Sequence, residues 1–220
     1  MVLGRKEARA LNPLVGLALA LAWALGAVAA AQAPASPAAP ANFQVRLDTT
    51  RGPIVIAVHR DWAPRGADRF YQLVTSGYFD HSDFFRVIAG RWAQFGIAAD
   101  PAVAARWRDR TFPDDPPREP NLRGRVAFAF ATRDGRTTQV FINLRDNSGT
   151  LDRQGFAPFG EVVEGMDVAD RLYSGYGENA GGGIRAGHQQ ELFAGGAAYL
   201  AAHFPLLDRI RRAEVLTSSP

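Results

Sequence analysis

Eight short stretches of strand-like pattern between residues 43 and 216, separated by turn residues, constrain this chain most. Phe43, Val45 and Leu47 alternate with Gln44, Arg46 and Asp48, the period-two signature of a half-buried strand. Residues 49–53 read as a turn into a more apolar partner over 54–58. Further strands are expected at 84–88, 92–97, 126–131, 140–144, 156–163 and 210–216. Only two helices of any length compete with them. One follows Pro64 and carries Ala67, Phe70, Tyr71 and Val74 at helical spacing before Gly77 ends it; a shorter one carries Met166, Ala169, Leu172 and Tyr173. Residues 100–121, charged and Pro-rich, read as an irregular surface loop, 181–183 as a flexible loop, and 199–204 as a helical turn. With no repeating βαβ unit, the expected architecture is mainly β: a closed eight-stranded antiparallel β-barrel capped by two α-helices.

The chain divides before the first strand. Arg5, Lys6 and Arg9 make a basic start, an uncharged Leu/Ala-rich run follows, and small residues cluster at Ala27, Ala29, Ala30 and Ala31. This is the anatomy of a secretory signal peptide over residues 1–31. Left uncleaved, the same run, at about twenty residues, would just anchor the chain in a membrane. Residues 32–42 form a Pro/Ala-rich linker, and 43–220 a single domain large enough to bury its own core. The expected destination is the periplasm or the exterior.

Composition removes several chemistries. There is no Cys, so no disulfide framework, thiolate nucleophile or Cys-based zinc site is available. The only Lys is Lys6, within the leader, which leaves no lysine for a Schiff base. Without Arg5, Lys6, Arg9 and Glu7 the formal charge of +3 falls to near +1, and no basic run suggests nucleic-acid binding. His59, His81, His188 and His203 are scattered without ligand spacing, so neither metal nor cofactor is expected. No Ser lies in a G-x-S-x-G elbow. The acidic residues of 100–121 read as a solvated face, and Asp146 and Asp152 as turn residues.

One constellation remains. Phe84-Phe85-Arg86-Val87-Ile88, Gln94-Phe95-Gly96 and Gln139-Val140-Phe141-Ile142-Asn143 each set one cationic or amide side chain among aromatic and β-branched residues. A cation within an apolar strand must be paired or used, unless its stem merely snorkels along an edge. One guanidinium, amides and many apolar groups suit a substrate that is gripped and desolvated rather than attacked.

In order and spacing these segments resemble the cyclophilin-type peptidyl-prolyl cis–trans isomerases. Phe84 to Gly90 and Gln94-Phe95-Gly96 are similar to the family's F-H-R-V-I-P-G and Q-G-G elements, and Gln139 to Asn143 to its Q-F-F-I-N segment. Arg51 to Ile56 resembles its first hairpin, Ala63 to Asp80 its first helix and exit, and Phe156 to Met166 its late F-G-x-V-x-x-G-M element. The resemblance implies Arg86 as the catalytic guanidinium, Gln94 as the amide that orients substrate or Arg86, and Phe141 as a wall of the proline pocket. It further implies Trp92 and Leu151 in that pocket with Phe84 beneath. Gln139 and the main chain at Phe130 would contact the peptide, Phe128 would border the neighbouring specificity pocket, and Phe156 stands where the family often has His or Tyr.

Departures occur at Phe85, Phe95, Val140, Arg91 and Thr150, around a retained Arg–Gln–Phe core. The implied function is isomerisation of X–Pro bonds in exported proteins, without cofactor or metal, by a monomer whose partners are proline-containing polypeptides. The alternative is a non-catalytic proline-peptide-binding module or chaperone using the same groove.

Overall fold

The computed structural model describes residues 38–180 and 189–216, which belong to one compact unit. The signal-peptide expectation, most of the linker and the 181–183 loop lie outside the described residues. Eight strands form one antiparallel sheet: β1 (Asn42–Thr49), β2 (Gly52–His59), β3 (Arg86–Ile88), β4 (Trp92–Phe95), β5 (Arg125–Phe128), β6 (Val140–Asn143), β7 (Pro158–Glu164) and β8 (Ile210–Leu216). Their order is β3-β4-β6-β5-β7-β2-β1-β8. The β1–β2 hairpin sets Val45 opposite Ile56 and Leu47 opposite Ile54, so the alternation in sequence becomes one buried face.

The expected closed barrel is not formed. The sheet is a half-barrel with β3 and β8 at its edges. The two approaches meet instead at an isolated bridge between Asp83 and Arg209, flanked by Phe84 N–H to Asp208 C=O at 2.9 Å and Ile210 N–H to Ser82 C=O at 2.8 Å.

Nor are there only two helices. Helix α1 (Pro64–Thr75) begins as expected on a proline and buries Ala67, Phe70, Leu73 and Val74. Its exit passes through Gly77 at φ 69°, a left-handed position that glycine takes without strain. The 100–121 segment is not wholly irregular: α2 (Pro101–Arg108) opens on Asp100, whose carboxylate accepts from Ala102 N–H at 2.7 Å. Short α3 (Ser148–Leu151) and α4 (Met166–Asp170) follow, and α5 (Gln190–His203) replaces the single turn expected near residue 200. The core is aromatic, with Phe70 against Phe79 and Phe159, Phe95 against Phe79 and Phe84, and Phe128 between Phe112 and Phe159.

The bridge across the edges carries a titration. Burial pushes the Asp83 carboxyl up to about 6, outweighing the pull of Arg209, whose Nε donates to it at 3.1 Å. A pKa raised on folding means that the folded state prefers the proton. This residue's contribution is therefore present in full below the unfolded value of about 3.9 and is lost as pH rises through about 6. Urea unfolding at pH 7 and pH 4.5 is expected to show the native protein gaining about 2 kcal/mol relative to Asp83→Asn on acidification. Parallel stability profiles for the two proteins would rule this out.

Candidate active site

Cross-strand register builds the site. Arg86 of β3 stands opposite Gln94 of β4, and Gln94 stands opposite Phe141 of β6. Directly paired residues share a face of a sheet, so the three side chains form one row across three strands. Trp92 lies two residues from Gln94 and joins that face. The intervening residues Val87, Ala93 and Phe95 turn into the core. Above the row is a cavity of about 410 Å³, with Ala129, Phe141, Leu151 and Phe156 as its apolar lining and Arg86, Arg91, Gln154 and Glu178 among its polar lining.

The polar groups are ordered by what a guanidinium can do. Arg86 is 8% exposed and lies over the Trp92 ring, 5.0 Å from its centroid. A guanidinium only donates. Its Nη1 donates to Gln94 Oε1 at 3.0 Å, which turns the Gln94 amide so that Nε2 donates to Gln139 Oε1 at 2.8 Å. Gln139 Nε2 then donates to Gln189 Oε1 at 2.9 Å. In the other direction Arg86 Nη2 donates to Glu178 Oε1 at 2.5 Å. The Nε–H of Arg86 is buried with no hydrogen-bond partner among the described residues.

Buried amides hold the facing wall. Asn147 donates to Asn143 Oδ1 at 2.8 Å and to the Arg91 carbonyl at 2.9 Å, which seats α3 against β6. Asn121 donates to Asp152 at 2.8 Å and to the Phe156 carbonyl at 2.8 Å. Arg136 pairs with Asp114 and lies 4.0 Å from the Phe130 ring centroid, and burial pushes its guanidinium down to about 10. Leu151, Phe156 and Phe130 are thereby fixed by groups outside the cavity. Such an arrangement offers an apolar slot beside hydrogen-bond donors and no activated nucleophile.

The family model described as Cyclophilin type peptidyl-prolyl cis-trans isomerase/CLD matches residues 44–183, more than half of the chain. The chain belongs to the cyclophilin-type peptidyl-prolyl cis–trans isomerase family. It is similar to the peptidyl-prolyl cis-trans isomerase A of Dickeya dadantii, with 35% identity over 156 residues that cover 66% of this chain and 78% of that one. Its fold is similar to a cyclophilin type peptidyl-prolyl cis-trans isomerase from Cryptosporidium parvum, with a TM-score of 0.58 at 18% identity over 81% of this chain and 99% of that chain. The Cryptosporidium protein solved in the presence of the dipeptide Ala-Pro gives a TM-score of 0.57 at 19% identity, over 80% of this chain and 99% of that one.

In this cyclophilin the residues singled out from sequence separate into two groups. Arg86, Gln94, Phe141, Trp92, Phe130, Leu151 and Phe156 line one cavity. Gln139 borders a second cavity of about 290 Å³ and is tied to Gln94. Phe84 is fully buried beneath, edge-on to Phe95. Phe128 lines neither cavity: Ala127 pairs with Phe141 and faces the groove, so Phe128 turns into the core.

Three polar residues of the site were not anticipated from sequence, Gln154 in the cavity lining and the hydrogen-bonded Glu178 and Gln189. Glu178 and Gln189 lie in the connection between α4 and α5, where no periodic pattern marks them. Their polarity beside glycines reads as loop. Arg91, by contrast, a departure already marked in sequence, lies over Trp92 at 4.7 Å and borders the cavity.

Proposed function

We propose that this cyclophilin accelerates cis–trans rotation about X–Pro bonds of exported polypeptides, holding the proline ring in the cavity of Phe141, Leu151 and Phe156 while Arg86 favours the twisted amide. The observation that carries this reading is the row of Arg86, Gln94 and Phe141 across β3, β4 and β6, which sets a fixed cation beside an apolar slot. The barrier to rotation is amide resonance, about 18–20 kcal/mol, and no bond need break. Twisting localises the lone pair on the proline nitrogen. A donor aimed at that nitrogen or at the neighbouring carbonyl binds the twisted form more strongly than the planar one. Arg86 suits this because its charge is permanent and its buried Nε–H awaits an acceptor. The apolar wall removes water that would otherwise stabilise the planar amide.

Export rests on the leader-like composition of residues 1–31. Cell fractionation with N-terminal sequencing of the mature protein tests it, and an intact Met1 in the cytoplasm would refute it. Exchange spectroscopy on a short X–Pro peptide tests the activity: cross-peaks between cis and trans signals should appear at catalytic amounts of protein.

One observation favours a second reading, a proline-peptide-binding module. Glu178 occupies Arg86 Nη2 and neutralises the guanidinium in the free protein. Binding of the peptide without exchange would support it. Under the catalytic reading the carboxylate competes with substrate, and Glu178→Gln is expected to lower KM about threefold or more without lowering kcat. An increased KM in the same NMR assay would show that Glu178 supports substrate binding instead.

A further inference from the structure

The second cavity has a wall that the family match does not cover. Gln189, Gln190 and Phe193 close it from α5 and its lead-in, beyond residue 183, while Arg108 at the end of α2 stands at its mouth. The geometry points to this cavity as a subsite for an acidic side chain of the substrate, with Arg108 as its anion-binding group. The inference rests on the first cavity being the proline site.

Charge accounting carries the argument. Arg51, Arg60, Arg123 and Arg136 are each paired with a carboxylate. The described contacts of Arg108 are neutral: Nη2 donates to Gln190 Oε1 at 2.8 Å, and the guanidinium carbon lies 4.5 Å from the Phe193 ring centroid. These contacts fix the fork without cancelling its charge. Behind the cavity lies a second cation. Arg69 Nη1 donates to the carbonyls of Arg110 and Thr137 at 2.6 and 2.9 Å, and Thr137 itself lines the cavity. Burial pushes Arg69 down to about 10, and the charge of Arg110 adds to the shift. Positive charge is thus crowded around a cleft whose remaining polar lining, Gln139, Gln189, Gln190 and Thr137, is uncharged. Such a cleft favours an anion and disfavours a further cation.

The two cavities adjoin. They share Ala129, Phe130 and Ala131, and the Gln94–Gln139 hydrogen bond spans them. A single extended peptide therefore reaches both, with proline in one and a carboxylate in the other. Arg108 is exposed, so its attraction is that of a solvated ion pair, a factor of about five in affinity at low salt and less at high salt.

The test uses alanine-rich peptides with one proline, in which Glu or its isostere Gln is placed at each of the four positions before and after the proline. Binding and cis–trans exchange are measured for each Glu/Gln pair with the native protein, Arg108→Gln and Arg108→Glu. One position should favour Glu about fivefold with the native protein, lose the preference in Arg108→Gln and reverse it in Arg108→Glu. A Glu/Gln ratio near one at every position, or a preference that survives both substitutions, overturns the proposal. Exchange of the Gln peptides reports separately on the isomerase reading: peptides bound but not exchanged would sink that reading, while the binding ratios still judge the subsite.

Discussion

Replacing Arg86 by alanine is expected to reduce turnover of an X–Pro peptide by about one to two decades while changing peptide affinity far less. The size follows from a hydrogen bond to a charged group, worth roughly 1.5–3 kcal/mol, converted to rate. The asymmetry follows from the division of labour in the cavity. On the proposed mechanism the apolar surface of Phe141, Leu151 and Phe156 would hold the ring equally well in the planar and twisted states, whereas the guanidinium would gain strength only as the lone pair localises. The variant should fold, because Glu178 is half-exposed and can be hydrated once its partner is gone. Exchange spectroscopy supplies kcat and titration supplies Kd. Equal losses in both would remove the transition-state role from Arg86 and leave it as an ordinary binding group.

A large effect on stability is expected at Gly96, directly after β4. Its φ is 107°, and a Cβ there would lie 2.3 Å from the Thr138 carbonyl oxygen and 2.8 Å from the Gln139 Cα. Both obstacles are backbone, so no rotamer change relieves them. The strand must pass this close because the Gly96 carbonyl accepts from Thr138 Oγ1 at 2.8 Å, with the Tyr78 hydroxyl at 3.4 Å. Gly96→Ala should cost about 3–5 kcal/mol or prevent folding, within reach of the whole stability of a domain this size. Gly90→Ala is the internal comparison: its φ is also positive, at 63°, but nothing lies within 4 Å of the added carbon. Its cost should stay near 1–2 kcal/mol, the backbone strain alone. Chemical denaturation of the two variants separates crowding from strain, and similar midpoints would refute the close-approach argument.

The strand set and the central row were legible because they depend on local alternation and on segments whose residue order carries a family signature. Arg86, Gln94 and Phe141 sit on one face once β3, β4 and β6 are paired. Phe128 shows where reading by motif fails and reading by parity would have succeeded: Ala127 and Ala129 flank it on the groove side, so position 128 had to face inward. Helix α2 was also within reach, since Asp100 before Pro101 is a cap followed by a first-turn proline; its net Arg content and the prolines further on obscured it. The open edges were not legible. Whether β3 ladders with β8 depends on two segments more than a hundred residues apart, and nothing local in either states how long the ladder will be. Glu178 and Gln189 were hidden for a related reason, as their role arises only where the α4–α5 connection meets the far side of the sheet.

Helix α5 is kinked at Gly196, whose φ and ψ of 54° and −143° let the next residue, Ala197, donate its N–H to the Ala99 carbonyl at 3.0 Å. A Cβ at that glycine would approach the same carbonyl to 2.2 Å. The helix that walls the second cavity is therefore moored in part by main chain and not only by the side chains that line that cavity. Gln189 and Gln190 can vary without loosening that mooring, so under the proposed reading the chain separates the part that must stay constant for rotation about an amide from a part free to drift as its clients change.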